Sequence, residues 1–167
     1  HMRTLISELL DFRKQEQGYL KLKVECRDIV AFTKEVYMSF YEYALKHHIA
    51  YRFETSEPSI NLWFDPVQMQ KVIINLLSNA FKYTPAEGNI TVSIRMHSQQ
   101  VLLQIKDSGT GIPQESIHKI FDQFYQIDGQ RSNLSLGTGI GLTLSKNIVE
   151  LHKGNIRVES KVDEGSC

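Results

Sequence analysis

A row of polar side chains on one predicted helix is the first feature that could do chemistry. The pattern over residues 66–83 predicts a helix. At about 100° per residue, Asn75, Asn79 and Lys82 fall within about 60° of one another beside its apolar face. Asparagine lowers helix propensity, so two of them in mid-helix indicate ligand binding, and an amide oxygen is a hard ligand suited to Mg²⁺. A solvated polar face is the alternative for this helix alone.

A second candidate is the segment Asp107-Ser108-Gly109-Thr110-Gly111, which follows a predicted strand. An aspartate at a strand end can accept a hydrogen bond from an amino group, worth roughly 1.5–3 kcal/mol if buried. The glycines would let a flat ligand approach the backbone. Taken alone, the pattern is more often a simple Asx turn.

The third candidate is the glycine-rich run from Gly137 to Leu142, which leads into a predicted helix. This arrangement offers free backbone N–H groups and the positive end of a helix dipole to phosphates. A dinucleotide fingerprint would need glycine at position 142, and neither the P-loop pattern nor the H-R-D and D-F-G kinase signatures occur. The run therefore predicts phosphate binding of another kind.

Metal–thiolate and nucleophile chemistry find little support in the sequence. His47 and His48 are adjacent and would point about 100° apart on a helix, which is poor for joint ligation. No G-x-S-x-G elbow is present. Cys26 and Cys167 form no CxxC pair, which indicates a reducing compartment and no structural disulfide.

The composition is that of one ordinary globular domain. The chain has 167 residues, of which 41% are hydrophobic and 23% are charged. Nineteen Lys and Arg balance nineteen Asp and Glu, which argues against nucleic acid or an anionic bilayer as a partner. No apolar run approaches the roughly 20 residues that a membrane-spanning helix needs.

The elements that must position the candidate residues follow from hydrophobic periodicity. Helices are predicted over residues 2–17, 29–46, 66–83 and 139–153, with a short helical piece ending at 121. Strands are predicted over residues 20–26, 50–53, 61–64, 90–96, 101–105 and 156–160, the fourth and fifth forming a hairpin. The polar segment 128–138 is predicted to be a mobile loop. These groups predict an α+β fold, a two-layer sandwich with helices on one face of one sheet.

Both ends of the chain lead us to expect a piece of a longer protein. His1-Met2 resembles the remnant of a cleaved tag and cloning site, and the sequence stops straight after a predicted strand. The predicted helix 2–17 carries an apolar stripe that either packs on its own domain or is covered by an upstream region, for example in a dimer.

Four motifs in order carry a resemblance to a known family. They read NLLSNAFKYT at Asn75–Thr84, DSGTGI at Asp107–Ile112, FDQFY at Phe121–Tyr125 and GTGIGL at Gly137–Leu142. These motifs are similar to the N, G1, F and G2 boxes of two-component sensor histidine kinases, within the wider gyrase, chaperone, histidine kinase and mismatch-repair ATPase superfamily.

The resemblance also implies domain limits. Residues 19–167 resemble a catalytic ATP-binding domain with a mixed, largely antiparallel sheet, truncated at its C-terminus. Residues 1–18 resemble the end of the helical dimerisation and phosphoacceptor hairpin. The segment Leu9–Lys14 is similar to that of large hybrid sensors of gut Bacteroides-type bacteria.

The resemblance implies a role for each matching side chain. Asp107 would bind the adenine amino group, and Asn79 would coordinate Mg²⁺ on the triphosphate with Asn75 in support. Lys82 would approach phosphate oxygens, and Tyr83 would line the base or ribose.

The remaining positions of the implied ATP site are backbone or lid positions. Gly109 and Gly111 would give clearance beside the base, and residues 137–142 would present N–H groups to phosphates at the base of a lid over residues 125–136. Phe121 and Phe124 would anchor that lid. The implied ATP-binding set is completed by Ala80, Ile112, Tyr125, Gln126, Arg131, Gly137, Thr138, Gly139, Ile140, Gly141 and Leu142.

One position departs from the family pattern. Many members carry an arginine directed at the γ-phosphate after the F box, where this chain has Gln126. Glutamine can hydrogen-bond but cannot neutralise charge. The resemblance implies Asn75, Asn79, Lys82 and Gln126 as the catalytic residues. Either Arg131, further along the implied lid, substitutes for the missing arginine, or the rate is lower.

The resemblance implies that the intact protein transfers the γ-phosphoryl group of Mg-ATP to a histidine in an upstream domain. The phosphoryl group would then pass to an aspartate of a response regulator receiver domain. The acceptor would lie on dimerisation helices of the same homodimeric protein, on the cytoplasmic side of a bacterial inner-membrane sensor.

Two alternatives to the kinase stay open. A non-catalytic ATP-sensing or docking module is favoured by Gln126. A superfamily ATPase that hydrolyses ATP with water is disfavoured, because Asn75 stands where such members have a glutamate general base.

Overall fold

The computed structural model describes residues 21–127 and 139–167. The helices are α1 (Ile29–Met38), α2 (Tyr41–Lys46), α3 (Pro66–Tyr83) and α4 (Gly141–Leu151), with a 3₁₀ turn at Gln114–Ser116. The strands are β1 (Glu25–Asp28), β2 (Ala50–Thr55), β3 (Asn61–Phe64), β4 (Asn89–His97), β5 (Gln100–Asp107), β6 (Ser160–Lys161) and β7 (Gly165–Ser166). The predicted helix 2–17 and loop 128–138 lie outside these ranges, as do Arg131, Gly137 and Thr138.

The described strands form two sheets. One has five strands in the order β2-β4-β5-β7-β6, in which only the β2–β4 pair is parallel. The other is the antiparallel pair of β1 and β3. The predicted α+β fold with a mixed, largely antiparallel sheet is therefore confirmed, but the prediction of a single sheet is wrong.

The helices cover the five-stranded sheet by burying alternate residues of its strands. Ile90, Val92 and Ile94 of β4 have no exposed surface, and neither have Ile73 and Leu77 of α3. All five belong to one hydrophobic core. The alternation along β4 directs one apolar row towards the helices, and burial of that row is the main force holding the two layers together.

Helix α3 begins and ends where its sequence predicts. Asp65 accepts a hydrogen bond from the backbone N–H of Gln68 at 3.1 Å, and proline follows at the first helical position. Thr84 is extended because Pro85 follows it, and its hydroxyl donates to the carbonyl of Ala80 at 2.6 Å. These local signals fix the helix that carries most of the candidate residues.

The predicted helix over residues 29–46 is divided in two. Ser39 follows α1 and donates both its N–H and its hydroxyl to the carbonyl of Val36, at 3.2 and 2.6 Å. The N–H of Phe40 bonds to the carbonyl of Tyr37, so the α-helical pattern is interrupted. A serine that competes for backbone groups accounts for the break.

Two strand predictions are wrong in extent. Of the described residues 21–26 in the strand predicted at 20–26, only Glu25 and Cys26 belong to β1, which continues to Asp28, and the N–H of Lys23 instead donates to the Asp65 carboxylate at 2.7 Å. The strand predicted at 156–160 is replaced by β6 and β7, two short strands around a turn. The first difference involves a partner distant in sequence, and the second is a local turn.

Truncation of Leu77 to alanine should lower the free energy of unfolding by about 2–5 kcal/mol, because the side chain is fully buried and its removal leaves a cavity. Val67→Ala on the same helix should change it by less than about 0.5 kcal/mol, because Val67 is 60% exposed. Urea denaturation of both variants measures the difference, and equal losses would contradict this account of the core.

Candidate functional site

The C-terminal end of α3 lies directly against the Asp107 loop, residues 107–112. The N–H of Thr110 donates to the carbonyl oxygen of Tyr83 at 3.3 Å. A Cβ at Gly109 would lie 2.5 Å from the same oxygen, which is too close for any side chain. Glycine at this position therefore allows the loop to reach the end of the helix.

Asp107 is held by backbone amides within this loop and from β7. Its Oδ1 accepts a hydrogen bond from the N–H of Gly109 at 2.8 Å, and the backbone of Ser166 also bonds to the carboxylate. Burial raises the pKa of Asp107, and these two bonds oppose part of the rise. A carboxylate can accept about four hydrogen bonds, so acceptor capacity remains for a ligand.

The last described strand completes the surroundings of Asp107. Ser166 of β7 pairs with Asp107 in register, and Gly165, at φ +98°, lies so close to the Asp107 carbonyl that a Cβ would overlap it. Ser160 braces the same loop by accepting a hydrogen bond from the N–H of Ile112 at 2.8 Å. The sequence analysis missed these supporting residues, and the glycine after Asp163-Glu164 is the one local signal for them.

Asn75 joins the middle of α3 to α4. Its Nδ2 donates to the hydroxyl of Ser145 at 2.9 Å, and a Cβ at Gly141 would overlap its amide oxygen. Asn75 is therefore a contact between the two helices, and a glycine again permits the close approach.

Asn79 and Lys82 lie between these two contacts. Residues 75, 79 and 83 are spaced by four and follow one face of α3, so Asn79 lies between Asn75 and Tyr83. The half-buried side chain of Asn79 forms no hydrogen bond with other described residues. The ammonium of Lys82 lies 5.0 Å from the centroid of the Tyr83 ring. We call the region bounded by residues 75–83, the Asp107 loop and residues 139–142 the α3 groove.

The segment after the 3₁₀ turn packs on the start of α4. Phe124 has a positive φ of 60° and donates its N–H to the carbonyl of Gly139 at 2.9 Å. Thr143 donates to the carbonyl of Phe121 at 2.8 Å, and Tyr125 donates to the hydroxyl of Ser116 at 3.0 Å. The predicted anchoring of a lid by Phe121 and Phe124 stays a prediction, because residues 128–138 lie outside the described ranges.

Other predicted site residues differ in how much side chain they can offer. Ala80 and Ile140 are 4% and 3% exposed, so little of either side chain can touch a ligand. Gly111 is buried, Ile112 and Leu142 are half-buried, and Gln126 is exposed. The structure thus brings the N, G1 and G2 segments together along α3, apart from the positions outside the described ranges.

Three further findings concern the rest of the described chain. Within the described ranges, no group of three or more His, Cys, Asp or Glu could hold a metal ion. An open cleft of about 420 Å³ lies elsewhere, between α1 and the start of α3, and is lined by Phe32, Val36 and Pro66 among others. No helix among the described residues is long and apolar enough to cross a membrane.

Residues 64–167 match the model of a family described as histidine kinase-, DNA gyrase B- and HSP90-like ATPase. Histidine kinase P4 of Formosa agariphila is 43% identical over 169 residues, covering 99% of this chain and 12% of that protein. Sensor histidine kinase WalK of Bacillus subtilis is 32% identical over 164 residues, covering 97% of this chain and 27% of that protein. The chain thus spans under a third of the length of these curated relatives.

Solved structures of histidine kinase ThkA resemble the whole described fold. Its nucleotide-free catalytic domain has a TM-score of 0.76 at 28% identity, covering 87% of this chain and 93% of that chain. ThkA in complex with the response regulator protein TrrA has a TM-score of 0.78 at 25% identity, covering 99% of this chain and 45% of that chain.

In the absence of ligand at pH 7, the Asp107→Asn variant should unfold at a temperature equal to or higher than that of the parent. We call this difference in unfolding temperature the gap. Because burial raises the pKa of Asp107, the folded chain favours the protonated form, and that contribution to stability is lost as pH rises through the raised pKa. The asparagine stays neutral, so the gap should close as pH falls below 3.8, the ordinary value. Unfolding temperatures of the parent and the variant, measured from pH 7 to below pH 3.8, give this gap, and Asp122→Asn, at an exposed aspartate, controls for the substitution itself.

Proposed function

The chain belongs to the histidine kinase-, DNA gyrase B- and HSP90-like ATPase family, as the catalytic domain of a sensor histidine kinase, and we propose that the α3 groove binds Mg-ATP. One observation carries the proposal. The Asp107 loop and the start of α4 both contact α3, through Tyr83 and Asn75, and Asn79 lies between them with no protein partner among the described residues.

The base end of the proposed site is the Asp107 loop. The adenine amino group is a donor, and the Asp107 carboxylate is a half-buried acceptor with capacity left after its backbone bonds. Gly109 and Gly111 present no side chain on this side, and Tyr83 supplies a partly exposed ring for the base or ribose. Ala80 and Ile112 would complete this end, Ala80 with little more than its backbone.

The phosphate end is proposed to lie along Asn79, Lys82 and the start of α4. An unpartnered amide oxygen fits Mg²⁺, a hard cation that takes few protein ligands, and the bound ion would neutralise charge on the phosphates. Asn75 would support the site through its bond to Ser145. The backbone at Gly139, Ile140, Gly141 and Leu142 would donate to phosphate oxygens, with Gly137, Thr138 and Arg131 added from the sequence prediction.

The activity proposed for the whole protein is phosphoryl transfer to a histidine on upstream dimerisation helices. Such a reaction has a loose transition state, so this domain's residues would act by positioning and charge neutralisation. Onward transfer to a response regulator aspartate is supported by the ThkA complex with TrrA, a response regulator protein. We further propose a homodimeric bacterial inner-membrane sensor with this domain on its cytoplasmic side. The hybrid architecture stays a prediction.

A non-catalytic ATP-sensing module is the second candidate function, and Gln126 favours it. This exposed side chain stands where the family pattern has an arginine, and it cannot neutralise phosphate charge.

Nucleotide binding should raise the unfolding temperature of the chain. At 100 times the Kd a ligand stabilises by about 2.7 kcal/mol, or about 5–10 °C for a domain of this size. Asp107→Ala should abolish the shift with both ATP and ADP, while Asn79→Ala should lose only its Mg²⁺-dependent part. Asn155→Ala, at an exposed asparagine, is the matched control. Full ADP stabilisation of Asp107→Ala would show that adenine binds elsewhere.

One experiment distinguishes the kinase function from the sensing function. The domain is joined to its upstream helices and incubated with ATP labelled on the γ-phosphate. We expect label that is lost in acid and kept in base, as for phosphohistidine. Gln126→Arg should increase the rate of labelling if charge neutralisation limits transfer. Tight ATP binding without labelling of either the parent chain or the Gln126→Arg variant would favour the sensing module.

A further inference from the structure

Helix α4 is tied to α3 at both ends. In its first half, Gly141 lies against the amide of Asn75, and Nδ2 of Asn75 donates to the hydroxyl of Ser145, the fifth of the eleven residues. Beyond its last residue, Nε2 of His152 accepts a hydrogen bond from the backbone N–H of Asp65 at 2.9 Å. Between Gly141 and His152, Leu144 and Ile148 pack with Val72 in a small apolar cluster.

The hydrogen bonds of His152 define a single neutral tautomer. Its Nδ1 lies 2.7 Å from the carbonyl oxygen of Ile148, which can only accept, so Nδ1 carries the proton. Nε2 then has a free lone pair directed at the N–H of Asp65. Both ring nitrogens therefore form hydrogen bonds, Nδ1 to the backbone of α4 and Nε2 to the residue that caps α3.

Asp65 is a rigid anchor for this tie. It is 4% exposed, and its two carboxylate oxygens accept from the N–H groups of Gln68 at 3.1 Å and Lys23 at 2.7 Å. Its carbonyl accepts from the N–H of Met69 at 2.9 Å. A residue fixed by this many bonds cannot follow small movements of α4.

We infer that His152 is a positioning residue for the phosphate end of the α3 groove, an inference that rests on the proposed function. An 11-residue helix is about 16 Å long. Fixed at both ends, α4 cannot pivot about the apolar cluster. Without the hydrogen bond of His152, α4 can pivot, and residues 139–141 at its other end then move relative to Asn79. Asp107, which binds the base, has no contact with this tie and keeps its place.

The test compares His152→Ala and His152→Gln in titrations with AMP, ADP and ATP in the presence of Mg²⁺. Loss of one backbone hydrogen bond to a phosphate oxygen would weaken binding about 5–10-fold, so we expect His152→Ala to raise the Kd for ATP by that factor, with a smaller rise for ADP and under about 2-fold for AMP. His152→Gln should bind all three like the parent, because its amide oxygen can replace Nε2 as the acceptor for Asp65.

Unfolding in urea without nucleotide controls for a merely structural role. If His152→Ala does not fold, His152→Asn replaces it, because that shorter side chain cannot reach the N–H of Asp65. Equal losses for AMP and ATP, or no loss for either, would overturn the inference while leaving the proposed function intact. A parent chain that binds no ATP would instead overturn the proposed function, and the inference with it.

Discussion

Close approach of two backbone segments to helix α3 is the constraint on which the rest of the domain depends. Gly109 lies against the carbonyl of Tyr83, and Gly141 lies against the amide of Asn75, each within a distance that leaves no room for a Cβ. A side chain at either position would separate an element from the helix and open the space between them. At the site, the absence of side chains at Gly109 and Gly141 therefore lets the Asp107 loop and α4 contact α3 directly.

The two ends of the groove use different physical means. At the base end, a carboxylate is kept partly from water, and burial raises its pKa while amides from its own loop and from β7 offset part of that effect. At the phosphate end, α3 offers the neutral amides of Asn75 and Asn79 and the ammonium of Lys82. The base end thus offers one hydrogen-bond acceptor with a defined direction, and the phosphate end offers neutral oxygen ligands. This combination suits a purine that carries a charged phosphate tail.

Local signals allowed much of the fold to be predicted from sequence. The Asp65-Pro66 cap and Pro85 bound α3, and strict alternation marks the hairpin of β4 and β5. The glycine and asparagine motifs identified the segments that meet along α3. The features that could not be predicted depend on residues that are distant in sequence. The limits of β1 follow from pairing with β3, Ser166 lies beside Asp107 only after the chain returns, and His152 meets Asp65 across 87 residues. No single-sequence pattern encodes such contacts.

The bracing of the Asp107 loop by the chain's last described strands has a consequence for biosynthesis. The hairpin of β4 and β5 can form as soon as it leaves the ribosome, but Ile112 meets Ser160 only after 48 further residues, and Ser166 comes later still. Pairing of such distant segments is slow, and it cannot be completed before residue 166 has been synthesised. A nascent chain therefore cannot brace the Asp107 loop until β6 and β7 have emerged, so this loop reaches its final arrangement late in the folding of the domain.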